Sequence, residues 1–429
     1  MTAADRGQAG RLEGPCAEAR DAARVGLYVH VPFCAVRCTY CDFSSGALSA
    51  QAVERYLSAL EREIARRAPA ADGVAFTSVF FGGGTPSALS ARHFARVWRA
   101  LRARLTIAPD AEITLEANPE SVRPALLDAW AAAGVNRLSM GAQSFDPEEL
   151  ARLGRIHDAE RPAAAFAMAR AHGFRRLSLD LMFGFPDHTP GRFAATLDRA
   201  LALDPEHLSA YCFIPEAGTP LGDAVLRGAA RLPGAEAQAD LYATLIERLA
   251  GAGYGIYETS NFCRPGAEAR HNLVYWLRRD YLGLGPSAHG LWRGERYGNH
   301  YGADRWAAAL EADGACDTVE PETERSRADE IVMLGLRFAT GLDARDHTPT
   351  RWGEVTRRYG DAFRRAIATG RLEQTPGGVR VPAEHRFVAD DVIAWLMAIA
   401  DREPLPARRS SPATLGATAF DSIGIASLT

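Results

Sequence analysis

The chain has 429 residues, 47% hydrophobic and 24% charged, with a formal net charge of -4. This composition excludes a collagen-like, largely disordered or membrane-spanning chain, and the small negative charge leaves no global basic field for nucleic acid. All 49 basic residues are arginine, so Schiff-base, pyridoxal phosphate and Walker A lysine chemistry are excluded too.

Residues 1–24, rich in Ala, Gly, Arg and Glu, read as a flexible tail with no apolar core of a secretory signal. The β-rich run Val25-Gly-Leu-Tyr-Val-His-Val31 opens the ordered part, and a helix-period stretch covers 51–67. Strand-like runs follow at 76–81, 112–118, 137–141, 177–183 and 207–213. Between them lie helical stretches at 90–105, 121–133, 147–153, 161–172 and 190–203, with Ser90 placed to cap its helix. A further helix spans 234–251, and an aromatic, glycine-rich stretch of weak periodicity runs over 254–301. Helical patterns at 330–338, 352–369 and 388–400 enclose a possible small hairpin at 372–381. No apolar run approaches the ~18 residues of a membrane span.

Strands alternating with helices imply parallel pairing with right-handed crossovers, hence an α/β fold. The pattern leaves open a doubly wound sheet and a full or partial barrel. In both, sites form at the C-terminal ends of strands. The chemically unusual residues fall there: Cys34, Gly82 to Thr85, Glu116, Gln143 and Asp180.

Seven cysteines are too few, and odd in number, for a disulfide scaffold. Three crowd together as Cys34-Ala-Val-Arg-Cys38-Thr-Tyr-Cys41, which points to a metal or redox site in a reducing, cytoplasmic setting. Structural zinc usually takes four ligands from two separated pairs, and no second Cys or His pair stands at a fitting distance. Soft thiolates suit iron–sulfur clusters, which normally take four cysteines. Three local ligands therefore imply a [4Fe–4S] cluster with one open iron.

This C-x3-C-x2-C motif after a first strand resembles that of radical S-adenosylmethionine (radical SAM) proteins, whose open iron is chelated by SAM. Tyr28-Val-His-Val-Pro-Phe-Cys34, Phe81-Gly-Gly-Gly-Thr-Pro-Ser87, Glu116-Ala-Asn-Pro-Glu120, Ser139-Met-Gly-Ala-Gln-Ser-Phe145 and Asp180-Leu-Met-Phe-Gly-Phe-Pro186 are similar to the oxygen-independent coproporphyrinogen III oxidase group. The resemblance covers residues 25–400 and implies a partial (β/α)6 barrel with a smaller, mostly helical C-terminal domain. The implied division is a barrel over 25–265, a bridging segment over 266–324, a helical domain with a hairpin over 325–402, and a second flexible tail over 403–429. Two features depart from the oxidase. It carries a further cysteine two positions after the third, where this chain has Phe43. His271-Asn-Leu-Val-Tyr-Trp276 also looks like the heme-binding H-N-x-x-Y-W signature of the heme chaperones in this group.

The resemblance implies a cytoplasmic heme chaperone that passes heme to an acceptor such as a respiratory hemoprotein. The alternative is oxidative decarboxylation of coproporphyrinogen III. An electron donor is implied, and a monomer or dimer with at most transient contact with a membrane surface. Cys34, Cys38 and Cys41 would hold the cluster. Tyr28, Tyr40, Gly83, Gly84, Thr85, Glu116, Gln143, Arg155 and Asp180 would contact SAM: glycines admit a ligand close to the backbone, and an arginine fork suits a carboxylate. His271 is the expected axial heme ligand, with Tyr275 and Trp276 offering flat apolar surfaces beside Asn272. Cys263, eight residues earlier, is an alternative ligand. His30, His157 and His289 are expected to be mainly structural, and Cys212 and Cys316 buried thiols.

Overall fold

The computed structural model describes residues 17–402. Six strands carry the alternation: β1 (Gly26–Val31), β2 (Ala75–Gly83), β3 (Thr106–Ala117), β4 (Arg137–Gln143), β5 (Arg176–Phe183) and β6 (His207–Cys212). Each pairs in parallel with the next. Their order is sequential, without the reversal that marks a doubly wound sheet, so the winding is that of a partial (β/α)6 barrel.

The two faces of these strands differ in chemistry. Leu27, Val29, Val79, Phe81, Leu115, Leu138, Leu179 and Leu208 are buried in one apolar core with helical residues such as Leu57, Phe94, Leu127 and Leu197. The alternate residues face the lumen and are polar yet buried: Ser78, Glu112, Thr114, Arg137, Ser139, Ser178, His207 and Ser209. Period-two alternation thus separates an apolar outer face from a polar inner one. Helix ends follow their capping residues; Ser90 accepts from the His93 N–H at 3.3 Å, as its position implies.

The 254–301 stretch is not irregular. It supplies β7 (Gly255–Glu258) and β8 (Asn261–Cys263) on the β6 side, and β9 (Tyr281–Leu284), β10 (His289–Trp292) and β11 (Glu295–Asn299) on the β1 side. With β12 (Asp317–Pro321) they complete a 12-stranded sheet of order β12-β11-β10-β9-β1-β2-β3-β4-β5-β6-β8-β7. The segment 266–324, expected to bridge two domains, therefore adds strands to the barrel sheet, with β9 parallel to β1. Its strands are short, and the β10–β11 turn uses positive φ at both Arg293 (52°) and Gly294 (85°), the backbone of a type I′ hairpin.

The expected N-terminal tail also differs. Ala17–Ala22 form a short helix. Ala23 is buried, and Arg20 pairs with Asp346 and donates to Thr340 Oγ1 at 2.6 Å, which ties the segment down. Residues 1–16 and the whole 403–429 segment lie outside the described residues.

A second core unites the helices Glu324–Gly335, Pro349–Ala368 and Ala389–Arg402 through Ile331, Val355, Tyr359 and Leu396. The hairpin Glu373–Gln374/Gly378–Arg380 packs with it and gains a third strand, Leu342–Asp343. Among the described residues, no helix is long and apolar enough to cross a membrane.

Candidate functional site

The site is built at the C-terminal ends of β1 to β5. After β1 the chain pairs Phe33–Cys34 with Gly46–Ala47, and this pairing closes the cysteine loop. Each sulfur meets a polar partner. Cys34 Sγ lies 3.3 Å from Thr85 Oγ1, Cys38 Sγ accepts from Arg155 Nη1 at 3.4 Å, and Cys41 faces the Phe43 backbone N–H. Burial pushes the Cys41 thiol up to about 11, and Cys38 and Cys34 add to the shift. The thiols thus share one loop, but among the described residues no three His, Cys, Asp or Glu side chains are gathered as a metal cage.

The glycine loop after β2 leaves no room for side chains. A Cβ on Gly82 would stand 2.8 Å from the Phe80 ring and 3.2 Å from Glu116 Oε2. Gly83 has φ +110° and would meet the His30 ring at 2.6 Å. Its N–H donates to Glu116 Oε2 at 3.2 Å. His30 in turn lies 3.1 Å from the Tyr28 hydroxyl and 3.0 Å from the Ser44 carbonyl, so it joins the glycine loop to the end of the cysteine loop.

Glu116 and Asp180 form a partly buried acidic pair. Burial, then the Asp180 charge, pushes Glu116 up to about 8. Burial raises Asp180 as well, although the Ser139 hydroxyl donates to it at 3.0 Å. Gln143 takes φ 63°, unusual for a non-glycine residue, where the β4–β5 register shifts. Arg155 Nη2 donates to Asn118 Oδ1 at 2.7 Å and to the Gly141 carbonyl at 2.9 Å. Its Nε is buried without a partner. Tyr40 is partly buried beside Arg155 and the cysteines, and desolvation raises its phenol. All nine residues expected to contact SAM therefore sit around one mouth. His30, expected to be mainly structural, belongs to this constellation, as do Asn118 and Ser139, which were not singled out; all three lie inside the quoted motifs.

His271 is placed differently from expectation. The helix Arg270–Trp276 lies near the N-terminal ends of the strands and points His271 into the lumen. The imidazole is 0% exposed. Its Nδ1 lies 2.9 Å from Ser78 Oγ and its Nε2 2.8 Å from the Tyr275 hydroxyl, so neither nitrogen is free for iron. Its ring stacks on Phe80 at 5.1 Å, and Phe80 stacks on Tyr28 at 6.2 Å. Asn272 donates to the Tyr257 hydroxyl at 3.4 Å. Trp276 is buried under Arg337, 4.8 Å from its ring. In this structure His271 supports the barrel floor, with its polar atoms satisfied within the protein. Cys263 is buried as well, and Cys212 is partly buried.

Residues 28–200 match the Radical SAM superfamily. The chain is 36% identical over 385 residues to heme chaperone HemW of Mycobacterium tuberculosis (strain ATCC 25618 / H37Rv), covering 87% of this chain and 94% of the relative. It is 40% identical over 271 residues to heme chaperone HemW of Escherichia coli (strain K12), covering 62% and 70%. Coproporphyrinogen III oxidase (HemN) from Escherichia coli, a radical SAM enzyme, superposes with a TM-score of 0.75 at 26% identity, covering 90% of this chain and 96% of that one. By the extent of these matches, the chain belongs to the HemW family of radical SAM proteins.

Proposed function

We propose that this protein is a cytoplasmic heme chaperone that binds heme, passes it to an acceptor hemoprotein, and carries a SAM-coordinated [4Fe–4S] cluster. The observation that carries the reading is Phe43. Within a family whose curated relatives are named heme chaperones, it stands where the oxidase has its additional thiol.

The site's chemistry fits the cofactors the family implies. Cys34, Cys38 and Cys41 would hold the cluster, and Thr85, Arg155 and the Phe43 N–H would donate to the sulfurs and tune it. The buried, unpartnered Arg155 Nε is a free donor, and the SAM carboxylate would supply its acceptor. The glycines leave a backbone cradle. Glu116 and Asp180, partly buried together, favour a partner that is cationic or donates hydrogen bonds, as SAM's ammonium and ribose hydroxyls do. Gln143, Gly84, Tyr28 and Tyr40 complete the enclosure. When bound, cluster and SAM supply one-electron chemistry, for which an electron donor is needed.

The test is a paired assay on anaerobically prepared protein. With SAM and reductant it should leave coproporphyrinogen III unconverted, and it should bind ferric heme and release it to an apo-hemoprotein. Sustained decarboxylation of coproporphyrinogen III would overturn the chaperone reading.

A further inference from the structure

At the end of the barrel opposite the cysteine loop, where the chain enters β1, lies a cavity of about 480 Å³. This is within the range of small-molecule sites, roughly 300–1,000 Å³. Its walls are Arg20, Asp21, Ala23 and Arg24 from the N-terminal segment and Arg279 from the turn after the Arg270–Trp276 helix. None of these residues belongs to the cysteine loop, the SAM mouth or the His271 contacts.

Uncompensated positive charge sets the cavity apart. Arg20 is paired with Asp346 and donates to Thr340 Oγ1. Arg24 donates from Nε to the Asp21 carbonyl at 3.0 Å, but it forms no ion pair among the described residues. Arg279 is half-buried and has neither an ion pair nor a side-chain hydrogen bond there. A guanidinium withdrawn from water is normally paired. Burial holds Arg279 below its ordinary range; Asp346 and Asp21 attract its charge, while Arg351 and Arg20 repel it.

The helical domain adds to this field. Arg351 is also unpaired among the described residues and stands in the first turn of the helix Pro349–Ala368, which carries no acidic residue there. A helix N-terminus is itself positive, so the helix does not offset the arginines. Burial brings His347 down to about 4 despite Asp346, with Arg279 and Arg351 adding to the shift. Around the cavity the guanidiniums of Arg20, Arg24, Arg279 and Arg351 thus stand against the carboxylates of Asp21 and Asp346 alone.

This excess selects an anion, and the arrangement narrows which. Arg24 and Arg279 come from separate segments, so they call for an acceptor whose oxygens point in several directions. A phosphate group meets that need, whereas a carboxylate presents two oxygens in one plane and suits a single fork. We propose that this cavity binds the phosphate group of a ligand between Arg24 and Arg279. Binding there fastens the N-terminal segment to the foot of the barrel and relieves the repulsion that reaches Arg351. The site is independent of the SAM and heme readings. Its phosphate comes either from a soluble phosphate ester or from a lipid headgroup.

The experiment titrates inorganic phosphate into the full-length protein at constant ionic strength, balanced with chloride, and follows the melting temperature and the heat of binding. Arg279→Gln and Arg24→Gln are compared, two positions on separate segments, each checked for folding by circular dichroism. Phosphate should raise the wild-type melting temperature where chloride does not, and either variant should bind it about tenfold more weakly. Co-sedimentation with phosphatidylcholine vesicles, with and without phosphatidic acid, separates the two sources. Sedimentation that needs both phosphatidic acid and the two arginines assigns a lipid headgroup, and phosphate binding without sedimentation assigns a soluble ester. A wild type that binds neither phosphate nor these vesicles, or folded variants that bind as well as the wild type, would overturn the site.

Discussion

Replacing His271 with alanine separates a ligand from a support. In the folded protein the imidazole satisfies Ser78 Oγ at 2.9 Å and the Tyr275 hydroxyl at 2.8 Å, and it stacks on Phe80 at 5.1 Å. His271→Ala leaves two buried polar atoms without their partner, at about 1–3 kcal/mol each. Part of this is recovered as the hydroxyls relax, but a void against Phe80 adds its own cost. The expected loss is about 3–5 kcal/mol, a large share of the ~5–15 kcal/mol that holds a domain folded. Urea unfolding followed by circular dichroism reads this as a lower midpoint at an unchanged slope. Heme titration below that midpoint should give wild-type affinity and an unchanged Soret band. The opposite pattern, wild-type stability with lost heme binding, would show that His271 reaches the iron and would refute the floor assignment.

Arg155→Ala should weaken SAM by roughly 1.5–3 kcal/mol through loss of a charge-assisted partner, read by calorimetry on anaerobic protein; unchanged affinity would make Arg155 a strut between Asn118 and Gly141. Gly83→Ala forces a Cβ into the His30 ring at φ +110°. Reduced iron loading and weaker SAM binding should follow, while full loading would mean that the loop relaxes freely. Glu116→Gln tests the acidic pair. A carboxyl raised to about 8 in the fold binds its proton more tightly there than in the unfolded chain, so it withdraws stability as pH rises from its ordinary range through 8. Melting temperatures of the variant should therefore fall less than those of the wild type between pH 6 and 9, and parallel profiles would argue against the shift.

The strand–helix alternation was legible because each inner strand is long and strictly patterned. Leu27, Val29 and Val31 fall on one face, Tyr28 and His30 on the other. The mouth residues were legible because they sit where those strands stop. Residues 255–299 were not, since β8 has three residues and β7, β9 and β10 four each, and their turns rely on glycine and arginine at positive φ. Runs that short carry too little periodicity to register. The placement of His271 was hidden for another reason. A motif names an imidazole, but Ser78 and Tyr275, which occupy its nitrogens, become its neighbours only when β2 and the Arg270–Trp276 helix meet. Residues 17–24 look tail-like by composition, and their anchors, Asp346 and Thr340, lie more than 300 positions away.

The two-sided strands have a consequence for how this protein can change. On each inner strand, cohesion is assigned to one set of alternate positions and chemistry to the other. Leu115 holds β3 to its helices, while Thr114 and Glu116 on either side face the lumen. A substitution at Thr114 or Ser139 can therefore alter what the mouth binds without touching the packing that keeps the barrel shut, and one at Leu115 or Met140 does the reverse. Neighbouring positions in the same strand are thus exposed to different selection, and the lumen can be rewritten for a new ligand while the outer shell is left as it is.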